Sequence, residues 1–197
     1  MRNHKFTAVT LIAILIVGVH LATAQNTPAA QTAPAAQTVS PAIPPPTDAP
    51  ASLAVPAGLE LVLSARGVGS QIYTCTVGSD GALSWVIKAP DAELRDQEGK
   101  VIGHHFAGPT WKLNDGSQVT ARPDKRSDSP DPNSIPWLVG NVIAHGGDQG
   151  LLMKVTTIQR LHTHGGKPPA TGCDEAHKGA ETKTSYTADY YFYAPKP

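Results

Sequence analysis

From Leu59 onward no stretch keeps a helical apolar period over ten residues or more. Short runs of period-two alternation recur instead, each closed by turn residues. Leu59–Ala65 is a first run. Gln71–Val77 is a second, with Tyr73, Cys75 and Val77 on one face. Ser79-Asp80-Gly81 is a hairpin signal that leads into Ala82–Lys88, where Leu83, Trp85 and Ile87 share a face. Val101–Phe106 follows the turn Gln97-Glu98-Gly99-Lys100. Pro109–Leu113 and Ser117–Arg122 flank Asn114-Asp115-Gly116, a second hairpin signal. Ile135–Ala144 and Leu151–His162 flank a glycine-rich loop, and Tyr186–Tyr193 is a last, strongly aromatic strand. The pattern predicts an all-β domain, a single antiparallel sandwich or barrel with long loops. Periodicity does not separate those two architectures.

The prolines and charges between Pro123 and Asn133 read as a surface excursion. His164–Thr184 reads as a long irregular stretch, and a short helix fits either region. Gly67-Val68-Gly69 reads as a turn between two strands. Trp85, Trp111 and Trp137 read as core residues whose indole N–H groups are hydrogen-bonded.

The chain ahead of this domain is of another kind. Arg2 and Lys5 precede an apolar run from Phe6 to Val19, and Ala22-Thr23-Ala24 offers small residues for a peptidase. Residues 1–24 therefore read as a signal peptide, too short in its apolar part to span a bilayer comfortably. Residues 25–52 are almost all Ala, Pro, Thr, Gln and Ser. Such a segment cannot bury enough apolar surface to offset its ordering entropy, so it reads as a disordered linker. Residues 53–195 form the domain.

The chain carries 16 basic and 16 acidic residues. Removing the signal removes Arg2 and Lys5, so the mature chain is slightly acidic. It shows no basic stripe, which argues against nucleic acid as a partner. No second apolar run is long enough for a transmembrane helix, so the mature chain is expected to have none. The only two cysteines are Cys75 and Cys173. In an exported chain such a pair is expected to form a disulfide, and the spacing is not the C-x-x-C of a reactive pair.

Several strings stand in a characteristic order: GVGSQIYTC (Gly67–Cys75), HFAGPTW (His105–Trp111), DGS (Asp115–Ser117), IPWL (Ile135–Leu138), IQRLHTHGG (Ile158–Gly166), GCD (Gly172–Asp174) and YTADYYFY (Tyr186–Tyr193). Together they resemble the family called domain of unknown function 3455, found in bacteria and fungi. The resemblance covers Val55 to Tyr193. It implies an exported domain and carries over no catalytic role. Some fungal relatives bear a malate dehydrogenase label. The residues here argue against that activity: Gly67-Val68-Gly69-Ser70-Gln71-Ile72 has Ile72 where a dinucleotide fingerprint needs its third glycine, and no helix follows.

Few residues stand out as chemical candidates. His162 and His164 form an H-x-H, and on a continuing strand both imidazoles project from one face. With His105 they make a candidate three-histidine site for zinc or copper. Arg160 has the fork geometry to grip a carboxylate or phosphate, or to tie strands together through Asp174 or Asp189. Asp115 is a second polar candidate, although turn chemistry alone explains it. Trp137, Tyr191 and Tyr193 are candidates for stacking on a sugar or other flat ligand. No nucleophile elbow, metalloprotease motif or phosphate loop is present in the sequence.

The leading functional reading is an exported, periplasmic or extracellular, non-catalytic module that binds a partner or surface, with a glycan or small molecule as ligand. No cofactor is expected. The alternatives are a histidine-based metal protein or enzyme, and a purely structural envelope component.

Overall fold

The computed structural model describes residues 45–197. The expected signal peptide and the linker as far as residue 44 lie outside the described residues. Eight strands follow in chain order: β1 Leu59–Val77, β2 Leu83–Arg95, β3 Val101–Phe106, β4 Thr110–Leu113, β5 Gln118–Ser127, β6 Trp137–Gly146, β7 Thr157–Gly165 and β8 Glu181–Pro195. Each pairs antiparallel with the next, and β8 pairs with β1 to close the ring. The expected all-β domain is therefore a barrel, and closure leaves no sheet edge to protect.

The meander fixes which connections share an end. The β1–β2, β3–β4, β5–β6 and β7–β8 connections lie at one end, here the upper. The β2–β3, β4–β5 and β6–β7 connections lie at the lower end.

Strand alternation divides the side chains between inside and outside. On β8, Tyr186, Ala188, Tyr190 and Phe192 join the interior cluster with Leu63, Leu94, Trp111, Val119 and Ile158. Tyr191 and Tyr193 face outward with Trp137, Val139 and Leu161. That outer cluster is not open to solvent. The N-terminal segment crosses it, with Leu53 fully buried and Ala49, Val55 and Leu59 packed alongside. Gln159 Nε2 donates to the Leu53 carbonyl at 2.9 Å and holds this strap down. The part of the expected linker from Ala49 to Ser52 thus lies on the barrel, where the outward aromatic face gives it apolar surface to bury.

Two further expectations are corrected. Gly67-Val68-Gly69 is not a turn: β1 runs through it unbroken. A Cβ on Gly67 would sit 2.5 Å from the Tyr190 ring, and one on Gly69 would sit 2.2 Å from the Asp91 carbonyl oxygen. The glycines are there because neighbouring groups occupy that space. Likewise Pro123 is inside β5, at a register shift between Pro123 and Lys125, where a bulge spares the missing N–H.

The lower end is stopped from within. Leu151–Lys154, expected as part of a strand, is a 3-10 turn. Leu152 and Val155 are fully buried in the interior cluster. Asp115 holds the turn in place: its carboxylate accepts from Leu151 N at 2.8 Å, from Ser117 N at 2.8 Å and from Ser117 Oγ at 2.6 Å. Burial raises the Asp115 pKa, but these hydrogen bonds outweigh it and hold the carboxyl below its usual range.

At the upper end a disulfide joins Cys75 on β1 to Cys173 in the β7–β8 connection, as expected, with Cα atoms 5.3 Å apart. Gly179 N donates to the Cys75 carbonyl at 2.8 Å and Cys75 N donates to the Ala180 carbonyl at 2.9 Å. The connection also contains a short 3-10 turn, Glu175–His177, capped by Asp174. No helix among the described residues is long and apolar enough to cross a membrane.

Candidate functional site

With the lower end plugged, the upper half of the barrel interior is left as an open cavity of about 400 Å³. Its walls come from all eight strands and are mostly apolar or aromatic: Trp85 and Ile87 near the mouth, Trp111, Ile135, Leu138, Ile158 and Tyr190 further in. The polar groups that line it are few, namely Gln71, Tyr73, His105, Arg122, Arg126 and Arg160. A mainly apolar hollow with a small number of placed polar groups is the usual form of a small-molecule site.

Arg160 enters the cavity because β7 alternates, with Ile158 and Arg160 inward and Leu161 outward. It pairs in register with Leu138 on β6 and Tyr190 on β8. Its Nη2 donates to the Pro136 carbonyl at 2.7 Å, while its buried Nε has no partner. Neither Asp174 nor Asp189 serves it: Asp174 caps the 3-10 turn, and Asp189 is bound to His162 and Arg66. The guanidinium acts electrostatically on Tyr73, His105, Tyr186 and Tyr190, and hydrogen-bonds the Tyr190 hydroxyl.

His105 is buried at 3 % exposure and stacks on Trp111, with ring centroids 4.1 Å apart and planes 8° from parallel. Its Nδ1–H donates to the Thr110 carbonyl at 2.9 Å, which leaves Nε2 as the ring acceptor. Burial drives its pKa down to about 3; the Thr110 bond opposes that shift, and Arg160 adds to it. The ring is therefore neutral at physiological pH. Tyr73 donates to the Gly166 carbonyl at 2.5 Å, and the Tyr186 and Tyr190 hydroxyls bond each other at 3.1 Å. Burial raises the pKa of all three, so none supplies an anion. The Gln71 side chain is buried in the wall.

The candidates of the sequence reading fall in several places. Arg160 and His105 share the cavity. His162 does not join them. A bulge between Leu161 and His164 breaks the alternation and leaves His162 at φ 48°. Its ring sits between Asp189 Oδ2 at 2.9 Å and Asp48 Oδ2 at 3.0 Å, under the strap. His164 is exposed. The H-x-H pair and His105 thus do not converge, and no group of three or more metal-ligating side chains assembles among the described residues. Asp115 lies in the β4–β5 turn at the opposite end of the barrel. Trp137, Tyr191 and Tyr193 lie under the strap rather than on an open platform. Tyr193 donates to Gln159 Oε1 at 3.2 Å, and burial pushes its pKa up to about 12.

Trp85 departs from expectation in the other direction. It is partly exposed at the cavity mouth, and its Nε1 donates to the Thr171 carbonyl at 2.9 Å. The indole N–H groups of Trp111 and Trp137 are buried without a partner. Gln71, Trp85, Trp111, Arg122 and Arg126 line the site without having been singled out for it. Alternation carries the only signal for them, and it becomes readable once closure defines an inside.

No curated protein matches the chain, and no solved structure matches it. A family model does match, over residues 56–194, which takes in every strand of the barrel and all of the cavity wall. The chain belongs to the family described as protein of unknown function (DUF3455).

Proposed function

We propose that this domain is an exported, non-catalytic binding module that takes a small, largely apolar molecule into the upper half of its barrel. The observation that carries the reading is the cavity of about 400 Å³, closed below by the Leu151–Lys154 turn and open above. Such a volume holds on the order of a dozen waters. Water against Ile135, Leu138, Ile158 and the Trp111 ring is poorly bonded, so an apolar ligand that displaces it gains free energy. Export is supported by the signal-like N-terminus and by the disulfide, which persists in oxidising compartments.

The test is a fluorescence titration of the mature chain with Nile red, a neutral apolar dye. Saturable one-to-one binding is expected in the wild type. Leu138→Trp, which fills the cavity from a wall position, is expected to abolish it while the thermal unfolding transition stays cooperative. No saturable binding, or binding that Leu138→Trp leaves intact, would overturn the reading.

A further inference from the structure

Resting on the binding reading above, we infer that the preferred ligand carries a carboxylate and that Arg160 anchors it. Three arginines line the cavity and no Asp or Glu does. None of the three forms an ion pair among the described residues. Arg122 and Arg126 are exposed and draw an anion towards the opening. Arg160 is further in, among aromatic walls.

The protein offers Arg160 no counter-charge. Its polar neighbours are phenols kept protonated by burial and an imidazole kept neutral by the same cause. A guanidinium among largely apolar side chains, whose partners are the Pro136 carbonyl and the uncharged Tyr190 hydroxyl, carries an unbalanced desolvation cost. An anion delivered by the ligand offsets that cost, and once the ligand has displaced the cavity's water the interaction is stronger than at the surface. The planar fork suits a carboxylate, whose two oxygens accept parallel N–H bonds. A single inner cation among neutral groups matches a monoanion, not a phosphate dianion. His105 Nε2 provides an acceptor in the same cavity, so a hydroxyl elsewhere on the ligand would find a partner. The aromatic walls and the limited volume set the rest of the class: a small, flat or compact apolar carboxylic acid.

The probes are 2-naphthoate, its uncharged methyl ester and Nile red, each titrated against the mature wild-type chain and against Arg160→Met. The wild type is expected to bind 2-naphthoate at least tenfold more tightly than the ester. Arg160→Met is expected to lose at least tenfold for the acid and less than twofold for the ester. Equal wild-type affinities for acid and ester would overturn the inference. So would equal losses for both in the variant. The wild-type comparison needs no variant and stands if Arg160→Met does not fold. Nile red separates the two levels: dye and ester binding with no acid preference sinks the carboxylate alone, whereas no binding of any probe sinks the cavity reading too.

Discussion

The seam between β1 and β8 is the costliest contact in this fold to make, because it joins the two ends of the barrel chain. Every other strand pair is consecutive and forms by closing a loop of at most 15 residues. The Cys75–Cys173 bond lies at the upper end of that seam and spans 98 residues. The loop-entropy relation gives about 4.7 kcal/mol at 25 °C for a loop of that length. The ordered body contains about 150 residues, and unfolding entropy near 2.1 cal/mol/K per residue makes about 0.3 kcal/mol/K for the whole. The ratio is a fall in Tm of roughly 15 °C on losing the bond. Local backbone bonds from Gly179 and to Ala180 keep the connection near Cys75 without the sulfurs. They stabilise the native state and leave the unfolded-state entropy unchanged, so they do not reduce the expected shift. The experiment is a thermal melt by circular dichroism of the wild type and of the Cys75→Ala/Cys173→Ala double variant. Adding a thiol reductant is expected to lower the wild type towards the variant and to leave the variant unmoved. A double-variant shift below about 3 °C would refute the argument that the seam depends on the bond. Two titratable thiols in non-reduced wild type would refute the bond itself.

Two other predictions concern single side chains. His105 has a native pKa of about 3 against an ordinary value of 6.5, so between those pH values the unfolded chain binds a proton that the native chain does not. Its contribution is therefore fully present above pH 6.5 and is lost as pH falls towards 3, by about 2 kcal/mol between pH 7 and pH 5. Urea unfolding at the two pH values should show that loss in the wild type and a markedly smaller one in His105→Gln; equal losses would place the proton uptake elsewhere. Asp115→Ala removes an acceptor of three hydrogen bonds at the lower plug and is expected to cost about 2 kcal/mol. Amide hydrogen exchange at Leu151–Val155 should accelerate more than at β8, and uniform acceleration would show that Asp115 does not act on the plug locally.

The strands were legible wherever alternation and turn residues coincided, as at Asp80-Gly81 and Asn114-Asp115-Gly116. Errors came where a residue's usual local meaning was overridden by a neighbour distant in sequence. Gly67 and Gly69 signal a turn locally, but Tyr190 and Asp91 press on them inside a continuous strand. Leu151-Leu152 reads as strand by composition, but Asp115 and the interior cluster make it a plug. The site was less legible than the fold. Arg160 stood out as a fork-shaped cation able to grip a carboxylate or phosphate, and His105 as a polar residue at a strand end. Nothing local to either shows that they share a cavity while His162, with the same credentials, is turned to the strap by a bulge.

The amino-acid order alone determined an all-β chain, the positions of most turns, and a cysteine pair able to bond. These follow from properties that act within a few residues or from simple composition: side-chain period, φ preference and the count of thiols. The tertiary structure decided the closure into a barrel, the plug, the strap over the outer aromatics and the cavity in the upper half of the interior. Those depend on which faces meet after β1 finds β8, and the same alternating strands would present them equally well to the opposite sheet of a sandwich. Only in the closed ring does Arg160 point into a shared hollow without an acid to meet it.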